Sequence, residues 1–123
     1  MGQGGEFYDK FKIKTHRFIM EVYQMTELFP QAELYGASSQ IRRAAVSIML
    51  NYVEGFGRRK EKVKLNFFEI AYGSACECKY LIYLAKEKNW IGSEQYNNNF
   101  NLLDEISAML WSMISGLEKK INE

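Results

Sequence analysis

Few residues in this chain have the types and spacing that covalent chemistry needs. A catalytic or metal centre gathers several His, Cys, Asp or Glu side chains on one face of the fold. Here the histidine count is one, His16. Cys76 and Cys78 stand two apart in an apolar run that reads as helix. At about 100° per residue they point to nearly opposite faces, so they share neither a disulfide nor a metal. Both are read as reduced residues in or near the core, as in a cytosolic protein. No Glu-x-x-His pair of the di-iron type occurs, and Gly55-Phe56-Gly57-Arg58-Arg59-Lys60 lacks the spacing and the preceding strand of a phosphate loop. The chain is therefore read as a non-enzyme with no catalytic residues, no metal ligands and no cofactor.

Three features remain, and each points to binding. The segment from Ser39 to Arg59 reads as helix, and Gln40, Arg43, Ser47, Asn51, Glu54 and Arg58 fall on one narrow stripe of it. Apolar residues occupy nearly all the remaining circumference, the reverse of an ordinary surface helix. The stripe is read as a buried hydrogen-bonded network that fixes helix register, with Glu77 of the next helix as its partner; the alternative is a solvated face. An unpaired buried charge is prohibitive, so Arg43 needs Glu77, or Glu54 of another subunit. Glu54 of its own helix lies three turns away.

The second feature is Arg58, Arg59, Lys60, Lys62 and Lys64, five basic residues in seven. Cations at a helix start oppose the positive end of its dipole. That cost suggests another use, and an RNA or nucleoprotein backbone is the obvious one. Lys10, Lys12, Lys14 and Arg17 form a looser basic group on the first helix. The third feature is the aromatic load of eight Tyr, eight Phe and two Trp. Tyr52, Phe56, Tyr72, Tyr80, Tyr83 and Trp111 exceed what one thin bundle buries, which points to a subunit interface.

The elements that position these residues read as four helices. Phe11, Thr15, Phe18, Val22, Met25 and Phe29 recur at spacings of four and three, the seam of a helix over residues 8–28. Pro30 stops it, Gly36 is free to take a positive φ, and Ser38 or Ser39 caps a second helix that runs to about Gly57. The third helix runs from about Glu61 to Lys88. Ser93 caps a fourth, whose seam is Phe100, Leu103, Ile106, Leu110, Ile114, Leu117 and Ile121. No strand-like alternation appears, so the fold class is all-α, an antiparallel up-down four-helix bundle. At 123 residues this is one domain, with residues 1–7 read as a disordered lead-in.

Composition narrows the partners. Net charge is +1, so no overall field drives binding to nucleic acid or membrane. The charge is uneven: residues 1–64 hold 11 Lys/Arg and 7 Asp/Glu, residues 65–123 hold 5 and 8, which places the basic surface in the first half. Neither a signal peptide, a myristoylation signal nor a membrane span is evident, so the chain is read as cytoplasmic with no membrane partner.

The residues also carry a resemblance. Phe29-Pro30, Tyr35-Gly36, Ser39-Gln40, Arg42-Arg43-Ala44, Ser47, Asn51, Glu54-Gly55, Arg58, Phe68, Ala71, Gly73-Ser74 and Glu77 resemble the motif of the four-helix bundle proteins encoded within 23S rRNA intervening sequences, a bacterial family. The likeness spans roughly residues 16–120. It implies a four-helix bundle assembled as a ring-shaped homopentamer, with no catalytic activity established for the family. It also implies kinship with the accessory variability protein of diversity-generating retroelements, a basic pentamer that binds reverse transcriptase and RNA. Two departures stand out. The family often has a proline where Met49 stands, and a second Glu where Lys79 stands. The resulting expectation is an oligomeric binding or scaffold protein that contacts RNA or a ribonucleoprotein. The alternative is a purely structural homo-oligomer with a protein partner.

Overall fold

The structure, a computed structural model, describes residues 3–123. It is an all-α four-helix bundle: α1 (Gln3–Thr26), α2 (Ala37–Phe56), α3 (Glu61–Glu87) and α4 (Ser93–Ile121), with one 3-10 turn at Gln31–Glu33. Each helix packs on two neighbours in the order α1–α2–α3–α4–α1, and no diagonal pair meets among the described residues. That is the ring of contacts that short connections impose on antiparallel helices.

The seams enter the core as their spacing predicts. Phe11, Thr15, Phe18, Val22, Met25 and Phe29 of the first seam are all buried, as are Leu103, Ile106, Leu110 and Ile114 of the last. The first helix begins earlier than expected. Residues 3–7 are helical because Phe7 and Tyr8 pack on the core, with the Tyr8 ring 5.1 Å from that of Phe56. Of the expected disordered lead-in, residues 1 and 2 lie outside the described residues.

Several local expectations are corrected. Neither Ser38 nor Ser39 caps α2; its N-cap is Gly36, and Glu33 Oε1 of the 3-10 turn accepts the Ala37 N–H at 3.1 Å instead. Gly36 has φ −109° rather than a positive value. Its glycine serves space: a Cβ there would lie 2.9 Å from the same Glu33 Oε1 and displace the cap. Ser93 is the first residue of α4, not its cap. The turn after α3 closes through Asn89, at φ 60°, with Trp90 N–H donating to Ala85 O and Asn89 N–H to Lys86 O. This is the Schellman pattern, which wants a left-handed residue at that position.

The α2–α3 pair sits closest because its facing residues are small. Gly55 packs against Phe68 and Phe67, and Ala44, Ala71 and Ala75 are buried elsewhere along the same two helices. Lys79 ties α3 to α4 through Asp104 at 2.9 Å and sits over the Phe100 ring.

Candidate functional site

The polar stripe lies along the α2–α3 seam at the surface of the chain. Gln40, Arg43, Glu54 and Glu77 are exposed, Ser47 and Asn51 half-buried. A network buried within one chain is therefore not what forms. The reason is the angle of the stripe: α2 buries Ile41, Ala45, Ile48 and Tyr52, and the polar residues flank that face instead of entering it. What forms is a line of local bonds. Gln40 Nε2 donates to Glu77 Oε2 at 3.2 Å, and the Ser47 and Ser74 hydroxyls pair at 2.8 Å. Asn51 Nδ2 donates to Ser47 O and Ser47 Oγ, both at 2.9 Å, and Arg58 bonds Glu54 at 3.0 Å. Arg43, expected to pair with Glu77, makes no hydrogen bond or ion pair among the described residues. Glu77 is met by the Gln40 amide instead.

At the Tyr35 end the seam opens into a polar recess of about 370 Å³, lined by Tyr35, Gly36, Ser39, Gln40, Arg43, Ala44, Ser47, Ser74 and Glu77. Every one of these residues belongs to the motif that carries the family resemblance. Residues spread over positions 35–77 thus converge because α2 and α3 run antiparallel beside each other. Ser74 and Tyr35 were not among the expected network residues. Ser74 had no visible partner in the sequence, because its partner Ser47 lies on another helix.

The basic run occupies the α2–α3 turn and the first turn of α3. Two of its members are engaged: Arg58 with Glu54 and over the Phe67 ring, Lys64 over the Phe56 ring at 5.7 Å. Arg59, Lys60 and Lys62 are exposed and form no ion pair among the described residues. Lys120, from the far end of the chain, joins them around a shallow recess of about 470 Å³. Lys120 is remote from the run in sequence, so no local pattern connects the two. The second basic group on α1 is partly neutralised, since Lys12 faces Asp9 at 3.8 Å and Lys14 bonds Glu105 of α4.

The aromatic surplus divides. Tyr52 is a core residue, 2% exposed and stacked on Phe68, which corrects its place among the surplus. Burial, followed by the charges of Tyr8 and Asp9, pushes its hydroxyl up to about 12. Phe56, Tyr80, Tyr83 and Trp111 are exposed, and so are Leu50, Val53 and Ile70. The cysteines divide too. Cys78 is buried, its thiol pushed up to about 12 by burial and then by the charge of Glu77. Cys76 is exposed, against expectation, because it lies on the opposite face of α3.

Among the described residues, no group of three or more His, Cys, Asp or Glu could hold a metal ion, and no helix is long and apolar enough to cross a membrane. The sequence pattern of the 23S rRNA-intervening sequence proteins matches residues 10–112, most of the chain and all of the polar seam. The chain belongs to that family. Among solved structures, this family member is similar to a protein of unknown function from the S23 ribosomal protein family of Bacteroides thetaiotaomicron. The two share 27% identity with a TM-score of 0.78, over 85% of this chain and 97% of the other. No curated protein matches the sequence.

Proposed function

We propose that this 23S rRNA-intervening sequence protein is a non-enzymatic, oligomeric binding or scaffold protein whose partner is RNA or a ribonucleoprotein. One observation carries the RNA reading: Arg59, Lys60 and Lys62 converge with Lys120 at one end of the bundle, where they outnumber the single carboxylate of Glu61 and none is ion-paired among the described residues. Unpaired surface cations in a cluster suit a phosphate backbone, which they bind with release of counterions. The family's name places its members in an rRNA context, which supports the same reading.

The oligomeric part rests on exposed apolar side chains. Leu50 and Val53 project from the outer face of α2, while Ile70, Tyr80 and Tyr83 lie on α3 and Trp111 on α4. Exposed apolar side chains on three different helices leave more than one face available, which suits a heterologous contact, the kind that closes into a ring, and a homopentamer is the ring we infer. In such a ring the basic end repeats once per subunit, and weak single contacts add. The same reading includes kinship with the accessory variability protein of diversity-generating retroelements. The exposed apolar faces also favour a second reading, a structural homo-oligomer whose partner is a protein.

Filter binding to a structured RNA and light scattering test the proposal together. The mass should come near five times the 14.4 kDa chain. Affinity should be measurable at about 50 mM salt and fall steeply as salt rises. Replacing Arg59, Lys60, Lys62 and Lys120 by Gln should flatten that salt slope without altering the mass. Absence of RNA binding at low salt by the intact protein refutes the RNA reading and leaves the protein-partner scaffold. A monomer at micromolar concentration refutes the oligomer.

A further inference from the structure

We propose that the polar recess between the start of α2 and the middle of α3 is a pocket for a guanine base, presented either by a free nucleotide or by an unpaired guanosine in RNA. Its RNA form rests on the reading above, and its nucleotide form stands without it.

The chemistry of the lining decides the base. Arg43 brings a guanidinium that makes no bond among the described residues, so its fork of donors is unused. Guanine presents two adjacent acceptors, O6 and N7, and a guanidinium is their standard bidentate partner. Glu77 brings a carboxylate that accepts one 3.2 Å bond from Gln40 and has lone pairs to spare. Guanine's N1–H and N2–H donors stand side by side, and a carboxylate accepts such a pair with both oxygens. Adenine inverts the match: its N6 donor would meet Arg43 and its N1 acceptor would meet Glu77. Both pairings would be repulsive. Unpaired nucleobases are typically held by hydrogen bonds to these edges together with an aromatic platform. Tyr35 supplies the platform. It lines the recess yet is 93% exposed, so its ring contributes nothing to the core and is available for stacking. The recess, about 370 Å³, is within the range of small-ligand sites. The Ser47–Ser74 hydroxyl pair adds further donors and acceptors within it.

Calorimetric titration of the full chain with GMP, AMP, CMP and UMP tests the pocket directly. A parallel anisotropy titration uses a labelled uridine decamer and the same decamer with one central guanosine. GMP should bind at least about tenfold tighter than AMP, the lower part of what one bidentate base contact supplies. Glu77→Gln, which exchanges an acceptor oxygen for a donor, should abolish that preference. Tyr35→Ala should weaken GMP about tenfold and Tyr35→Phe should leave it unchanged, since stacking needs the ring and not the hydroxyl. Both residues, Glu77 and Tyr35, are exposed, and an unchanged circular dichroism melt confirms the fold of each of the three variants. Equal affinity for the four nucleotides, or a guanine preference untouched by Glu77→Gln, overturns the proposal. RNA binding that ignores the central guanosine, together with indifferent nucleotides, overturns the pocket while the basic-end reading survives. A GMP preference without any RNA binding upholds the pocket as a nucleotide site and removes the RNA reading alone.

Discussion

Gly55→Ala isolates the packing that brings α2 against α3. The added Cβ would lie 2.8 Å from Phe68 Cε1, and 2.9 Å from both Phe67 Cβ and Phe68 Cδ1. Carbon atoms attract best at about 3.5–4.0 Å, so the shortest contact is about 0.7 Å inside that range. The Phe68 ring cannot simply move aside. It is 2% exposed and stacked on Tyr52 with centroids 5.8 Å apart and planes 14° from parallel. Phe67 is met at its Cβ, which moves only with the α3 backbone. Overpacking of this kind costs about 1–3 kcal/mol. The helix propensity of alanine over glycine returns at most about 1 kcal/mol. The clash should outweigh propensity, for a net loss of up to about 2 kcal/mol, read as a midpoint lowered by up to about 8 °C in a thermal melt at fixed protein concentration. Gly73→Ala and Gly116→Ala are the controls, because nothing lies within 4 Å of a Cβ at either helical position. Their midpoints should rise by a few degrees, since propensity acts there alone. Equal or higher stability for Gly55→Ala would refute the close α2–α3 approach, and with it the geometry that forms the polar seam.

Asn89 holds the left-handed residue of the α3 turn, so Asn89→Ala should lose about 1 kcal/mol while Asn89→Gly should be neutral or stabilising. Chemical denaturation of the two variants distinguishes a backbone requirement from a side-chain one. The two cysteines should react unequally: a thiol reagent at neutral pH should modify Cys76 in the folded protein and Cys78 only after unfolding. Tyr52 and Cys78 both have folded pKa values raised to about 12, from 10.0 and 9.0, so the fold binds their protons more tightly than the unfolded chain does. The stability they contribute is complete below pH 9 and is lost as pH climbs through 9 to 12. Melts across that window should show the loss, and Tyr52→Phe should reduce it.

Helix content and the buried side of α1 and α4 follow from sequence alone, because a seam such as Phe11-Thr15-Phe18-Val22 encodes its own direction through spacing. The breaks at Pro30 and around Asn89 are equally local, each set by the backbone angles its residue tolerates. The orientation of α2 is different. With apolar residues around most of its cylinder, periodicity offers no preferred side. Only packing against α1 and α3 decides that Ile41, Ala45, Ile48 and Tyr52 turn inward while Leu50 and Val53 stay out. That choice of angle also sets the polar stripe beside the core rather than within it, and turns an expected buried network into an open seam. The candidate sites are tertiary for the same reason. The Ser47 bond to Ser74, the meeting of Arg43 with Glu77 around one recess and the arrival of Lys120 beside Lys62 each join separate helices. The residue types were visible beforehand, but their neighbours are fixed by how antiparallel helices align, and a one-dimensional pattern carries no term for that alignment.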